Sequence, residues 1–184
     1  MKRTQVCLVF ILLIFPCSII YSQSYWVSSM GAKLGTVMPK LSSQNLFSIG
    51  IQTRVTPENP NWRLSPFFEY AVGDASTHQQ TTHYQIFSLG ASAVSLFELT
   101  YSKVSPYIGG GAGISFVHTE REDNSELNSS IREFDLTLNA VAGLELQMRS
   151  NTIGFVEIKY VLAGETDYLG VWIGVMLSLR NKSR

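Results

Sequence analysis

Phe134-Asp135-Leu136-Thr137-Leu138-Asn139-Ala140-Val141-Ala142-Gly143-Leu144-Glu145-Leu146-Gln147 sorts its side chains into two files. Phe134, Leu136, Leu138, Ala140, Ala142, Leu144 and Leu146 form one file, entirely apolar. The other holds Asp135, Thr137, Asn139, Gly143, Glu145 and Gln147, with Val141 as its one apolar member. Such alternation places successive side chains on opposite faces of a β-strand. The run outlasts the usual soluble strand of about 5–6 residues and exceeds the roughly 9–11 residues a tilted strand needs to cross a bilayer.

Working outward, the same rhythm returns near the C-terminus, where Leu169, Val171, Ile173, Val175, Leu177 and Leu179 oppose Gly170, Trp172, Gly174, Met176, Ser178 and Arg180. In all, eight segments are predicted: 26–38, 45–56, 62–74, 83–99, 105–118, 133–148, 152–163 and 167–180. The even number fits an all-β, eight-stranded antiparallel up-and-down transmembrane β-barrel over residues 25–184. The connections alternate in character. Pro39–Gln44, Ala75–Thr82 and Thr119–Arg132 include the two longest, most polar loops, whereas Thr56–Asn61, Thr100–Ser105 and Arg149–Asn151 are predicted as the opposite set. Short turns at one end and longer loops at the other are the habit of outer-membrane barrels, whose long loops face outward. Nothing after residue 24 contains the run of about 18 apolar residues that marks a transmembrane helix.

The N-terminus reads as a secretory signal peptide over residues 1–24. Lys2 and Arg3 supply the positive start and Leu8–Phe15 the apolar core; Ser22 and Ser24 are the small residues before a cut after Ser24, with a cut after Ser22 as the alternative. Ile14, Phe15 and Pro16 ahead of Cys17 do not make a lipobox. Both cysteines, Cys7 and Cys17, fall within this segment, so the processed chain would have no disulfide. Without Lys2 and Arg3 the balance is 12 basic to 14 acidic residues, a formal charge of −2. That lacks the basic excess of a nucleic-acid binder. Charged residues make up only 15% of the 184-residue chain, against about 25% in a soluble domain.

Alternation alone does not say which face is wet. A soluble barrel would need many lysines and glutamates on its polar face. Here that face is rich in Gly, Ser, Asn and Gln, as in Tyr107, Gly109, Gly111, Gly113 and Ser115. Small residues suit a crowded lumen, where side chains of all strands converge. Strand phase then places ten charges inside: Lys33, Arg54, Arg63, Lys159 and Arg180 against Glu69, Glu98, Asp135, Glu145 and Glu157. A balanced set would form paired networks, because an unpaired buried charge is costly. Aromatic girdles are expected at the two rims, from Tyr25, Trp26, Trp62, Tyr101 and Tyr107 at the inner one and Tyr84 and Tyr168 at the outer one.

Ser105-Pro106-Tyr107-Ile108-Gly109-Gly110-Gly111-Ala112-Gly113-Ile114 resembles the Pro-Tyr-x-Gly-x-Gly-x-Gly strand of small outer-membrane barrels of the OmpA/OmpX type. Asn139–Leu146, Ile153–Tyr160 and Gly170–Val175 are similar to the family's following strands. The resemblance spans essentially the whole processed chain and implies an architecture and a bacterial outer-membrane location more than an activity. The chain departs from the family at its end, Leu179-Arg180-Asn181-Lys182-Ser183-Arg184, where the usual terminal aromatic residue is missing.

No motif of the chain assembles a reactive site. Some barrels of this shape modify lipid A, but the deacylase pattern wants a serine two positions after its histidine, and Glu120 stands there after His118. His78 and His83 match no zinc spacing, and the acids Glu120, Glu122, Asp123 and Glu126 around Arg121 do not form a calcium loop. Asn128-Ser129-Ser130 matches a glycosylation acceptor by chance. The sequence therefore predicts no catalytic residue, cofactor or metal. It predicts a barrel filled by side chains, lipid around it, and contact with a surface ligand or protein partner through loops 75–82 and 119–132. The alternatives are a small porin-like channel for a solute, a periplasmic soluble barrel holding an apolar ligand, and a lipid A-modifying enzyme.

Overall fold

A computed structural model describes residues 26–40, 44–56, 62–77, 80–97, 99, 102–123, 129–149, 151–164 and 167–179. The expected signal peptide, His78, Glu98 and Arg180 lie outside the described residues, as do Tyr25 and Tyr101 of the expected inner girdle.

Eight strands follow in chain order: β1 (Trp26–Pro39), β2 (Leu46–Thr56), β3 (Trp62–Thr77), β4 (Gln80–Leu96), β5 (Val104–Asp123), β6 (Ser129–Arg149), β7 (Thr152–Leu162) and β8 (Tyr168–Ser178). Each pairs antiparallel with the next, and β8 returns to β1 from Ser29↔Ser178 to Pro39↔Tyr168, so the sheet closes into a barrel with consecutive strands as neighbours. Closure explains the two files. The apolar file faces outward: Leu34, Ile49, Ile108, Leu138 and Ile173 are each about half exposed or more. The mixed file faces inward, where Lys33, Ser48, Gln52, Ser115 and Thr137 are buried. An apolar exterior around a polar interior is the arrangement of a barrel surrounded by lipid.

Strand lengths differ from the sequence expectation on one side. β3 and β4 pair all the way to Thr77↔Gln80, and β5 and β6 to Arg121↔Ser129. Residues 75–82 and 119–132, expected as loops, are therefore mostly strand. The period-two signal disappears where both faces of a sheet are wet, so the polar residues of a projecting hairpin look like a loop. On either flank the ladder stops early, at Phe47↔Val72 between β2 and β3 and at Leu138↔Leu162 between β6 and β7. β3 to β6 thus rise beyond the rest of the barrel as a four-stranded sheet. One interior irregularity has a simple cause: the β2–β3 ladder skips from Gln52↔Phe67 to Val55↔Leu64 beside Pro66, which has no N–H to give.

The outward face of the tall side carries a feature the sequence reading did not find. Tyr70, Phe87, Phe116 and Phe134 stand in register across β3, β4, β5 and β6 as one row. Tyr70 and Phe87 have ring centroids 4.5 Å apart, and Phe116 and Phe134 5.0 Å. Immediately above come Gln85, His118 and Arg132, also in register. This row is the aromatic rim expected at an interface. Trp62 faces outward as predicted. Tyr107 and Tyr168 do not belong to a girdle: both are buried inside, and Tyr84 packs against the inner apolar cluster. The distinguishing signal is local, since Phe87, Phe116 and Phe134 each lie two residues from the first polar residue of their own outward file.

Candidate functional site

Among the described residues, the barrel interior is where charged side chains are buried together. It is built in three layers. At the end bearing the hairpins, Val37, Leu46, Ala71, Ile86, Val117, Val161, Tyr168 and Trp172 form an apolar cluster drawn from every strand except β6. Tyr168 Oη lies 3.0 Å from Ser88 Oγ on β4, the strand diametrically opposite β8, and Ser88 Oγ is 2.9 Å from Ser115 Oγ. The backbone N–H of Ala163 donates to Asp167 Oδ1 at 3.0 Å, and that of Lys40 to the Asp167 carbonyl at 2.8 Å, which ties the β7–β8 connection to the end of β1.

The middle layer holds two lysines and two glutamates. Lys33 Nζ on β1 donates to Glu157 Oε1 at 2.8 Å and lies 2.6 Å from Glu69 Oε1. Lys159 on β7 donates to Glu69 on β3, four strands away and therefore across the full width of the barrel. Lys33 is 4% exposed, Glu69 3%, Glu157 5% and Lys159 1%, so the four charges balance each other and not water. Aromatic rings complete their surroundings: Lys159 Nζ sits 3.5 Å from the Phe67 ring centroid and Lys33 Nζ 4.9 Å from that of Trp172. Cations over ring faces gain most where water is excluded. Tyr107 Oη donates to Glu157 Oε2 at 3.0 Å, and Trp172 Nε1 to Ser48 Oγ at 3.2 Å.

The third layer lies toward the end where β1 begins and β8 finishes. Arg54 on β2 pairs with Glu145 on β6, again diametrically opposite, and Arg63 Nη1 donates to Glu145 Oε2 at 3.3 Å. Ser92 Oγ donates to Asn139 Oδ1 at 2.7 Å between β4 and β6. Each layer thus contains a contact between opposite strands.

Of the ten charges placed inside by strand phase, seven meet in these two networks: Lys33, Glu69, Glu157 and Lys159 in one, Arg54, Arg63 and Glu145 in the other. Asp135 is not among them. It is partly exposed near the hairpin end, where its carboxylate faces Gly164 of the β7–β8 connection. Two parts of the interior escaped the sequence reading. The apolar layer takes one residue from each of six strands and two, Tyr168 and Trp172, from β8, so it does not show as a run in any one strand. The lysine–aromatic contacts join strands far apart in sequence.

The outward histidines are accounted for locally. His118 Nε2 is 2.8 Å from Glu120 Oε1, and His83 pairs with Asp74 directly across β3 and β4. Among the described residues, no three His, Cys, Asp or Glu side chains converge as a metal site would require.

No protein-family model matches the chain, and no curated protein sequence matches it. Solved structures share its fold. Neisserial surface protein A (NspA) is 18% identical, over 82% of this chain and 95% of its own, with a TM-score of 0.61. Ail, the attachment invasion locus protein of Yersinia pestis, is 16% identical over 84% and 98%, with a TM-score of 0.59; it has also been solved in complex with the heparin analogue sucrose octasulfate. A major outer membrane protein from Thermus thermophilus is 9% identical over 83% and 99%, with a TM-score of 0.60. This is the fold of the small outer-membrane β-barrels. These three proteins each match over nearly their whole length, so the likeness takes in the complete barrel. At these identities it concerns the scaffold and not the side chains within it.

Proposed function

We propose that this chain is a bacterial outer-membrane barrel with a lumen closed by its own side chains, exported through a signal peptide at residues 1–24, that acts without catalysis through its projecting sheet and hairpin tips. The observation that carries the reading is the stack of three contacts between opposite strands: Ser88 to Tyr168, Glu69 to Lys159, and Arg54 to Glu145. An eight-stranded barrel has an interior only just wide enough for side chains to fill, so a solute path would have to cross an apolar layer and two sets of ion pairs. What remains available for function is the rim. There β3 to β6 lift their ends clear of the lipid-facing belt, and rigid scaffolds commonly carry binding at such tips. Ail, solved with a sulfated sugar analogue, offers an example of a ligand on this scaffold.

Conductance in a planar bilayer tests the reading. The refolded protein is expected to insert without discrete current steps. Stable, uniform steps would overturn the closed lumen and restore the porin-like alternative. Trimming residues 75–82 and 119–132 is expected to leave a folded barrel that has lost surface binding.

A further inference from the structure

The outward face of β6 carries an apolar track with a cation at its top. The ladder between β6 and β7 ends at Leu138↔Leu162, whereas β6 continues toward the hairpin tip. The lipid-facing surface therefore has a step there. Leu136 and Leu138 on the taller side of the step are 79% and 61% exposed, against 48% for Leu162 on the shorter side. Phe134 continues the file above them and pairs its ring with that of Phe116 on β5, with centroids 5.0 Å apart. Arg132 is the next outward residue of the same file.

Height and charge decide what meets this track. Phe134 belongs to the aromatic row of β3 to β6, and such rows lie at the level of lipid headgroups. Two residues along a strand advance by about 6.6 Å, so Arg132 stands just past the rings, among the polar groups of the leaflet. Its charged neighbours on this face are already engaged: His118 Nε2 lies 2.8 Å from Glu120 Oε1, and His83 Nδ1 lies 2.5 Å from Asp74 Oδ1. Arg132 itself is exposed and has no carboxylate within ion-pair distance among the described residues. The partner that suits a guanidinium fork at that level is a phosphate, which accepts two parallel hydrogen bonds from it.

We propose that the step where β6 rises past β7 holds one anionic, phosphate-bearing lipid of the surrounding leaflet, with its phosphate on Arg132 and an acyl chain along Phe134, Leu136 and Leu138. The inference goes beyond the surface-binding role and rests on the membrane placement proposed with it. Cation and apolar track share one file of one strand, so a single amphiphile satisfies both. A soluble anion would use Arg132 alone and leave the track untouched.

The test uses the full-length protein in nanodiscs of phosphatidylcholine, with and without phosphatidic acid. Native mass spectrometry reads the lipid retained on the barrel, and NMR reads the Arg132 Nε–H resonance. Phosphatidic acid is expected to be retained in preference to phosphatidylcholine and to shift that resonance. Arg132→Gln is expected to lower the preference by about fivefold, whereas Lys103→Gln, at the opposite end of the barrel, should leave it unchanged. Leu136→Ser, which keeps the cation, is expected to weaken retention as well. An undiminished preference in Arg132→Gln, or an equal loss in Lys103→Gln, would overturn the site. Full retention by Leu136→Ser would overturn the acyl track. An equal shift of the Arg132 resonance by inorganic phosphate in nanodiscs of phosphatidylcholine alone would overturn the lipid as the occupant. A protein that fails to enter nanodiscs would refute the membrane placement and the site with it, while an inserted barrel with no preference for phosphatidic acid would refute the site alone.

Discussion

Tyr107 on β5 and Gly143 on β6 stand directly opposite each other, and the phenol ring of Tyr107 occupies the space that a side chain on Gly143 would need. The relationship recurs around the lumen. Phe67 faces Gly90, Phe155 faces Gly174 and Trp172 faces Gly35, each as register partners on adjacent strands with the ring against the glycine. Inward rings in so narrow a barrel have nowhere to lie except across a neighbouring backbone, and only glycine leaves that backbone bare. Gly143→Ala is therefore expected to destabilise the barrel by about 1–3 kcal/mol through overpacking. Urea unfolding in phospholipid vesicles, followed by heat-modifiable gel mobility, measures it. Adding Tyr107→Ala should relieve only part of the crowding, because the Val156 carbonyl also blocks the position. A Gly143→Ala variant as stable as the parent would show that both the Tyr107 ring and the Val156 carbonyl give way without cost.

Glu69 accepts from lysines on both β1 and β7. Removing one partner of a buried ion pair leaves an uncompensated charge, at a cost of about 3–5 kcal/mol. Lys159→Met alone is accordingly expected to lose that much in the same unfolding measurement. Lys159→Met with Glu69→Leu leaves Lys33 paired with Glu157 at 2.8 Å, so the double variant should lie within about 1–2 kcal/mol of the parent. A single variant with no loss would mean that water reaches Lys159.

Ala140 occupies the middle of the outward file of β6, which runs from Phe134 to Met148, and faces out of the barrel. Ala140→Arg is expected to cost about 2–4 kcal/mol in bilayer folding, as for a cation at the midplane. Arg132→Ala, one outward position above the aromatic row, should stay within about 0.5 kcal/mol of the parent as an exposed substitution. Equal effects from the two would mean that this face does not meet lipid.

The parts of the fold that could be read from the chain are those where a single strand carries its own contrast. The alternation of Phe134–Gln147 and Leu169–Leu179 marks strand, face and lipid side together, and the small residues that share a file with Tyr107 mark a crowded interior. Seven charges reached the two networks because a charge on the wet face of an otherwise apolar-backed strand has only the lumen to occupy. What stayed hidden depends on relations between strands. The hairpin extensions past Asp74 and His118 are stabilised by pairing, with no apolar file to announce them. The apolar layer around Trp172 takes one or two residues from each contributing strand. Tyr107 and Tyr168 were misplaced at rims because nearness to a segment end says nothing about which way a ring points.

The layered interior makes a specific statement about conduction. Replacing the middle network by Lys33→Ser, Glu69→Ser, Glu157→Ser and Lys159→Ser removes the charges and leaves small polar side chains in their place, yet keeps the apolar cluster of Val37, Leu46, Ile86, Val117, Tyr168 and Trp172 across the hairpin end. Apolar constrictions stop ions by excluding water, independently of any charge. The fourfold variant is therefore expected to remain silent in planar bilayers. Steps should appear only when Trp172→Ala and Tyr168→Ala are added, which removes the two largest aromatic side chains of that cluster and the Tyr168–Ser88 contact. Current from the fourfold variant alone would locate the whole barrier in the ion pairs. Silence of the sixfold variant, with folding intact by gel mobility, would move the last barrier to the Arg54–Glu145–Arg63 layer, where Glu145→Ala is the next substitution to measure.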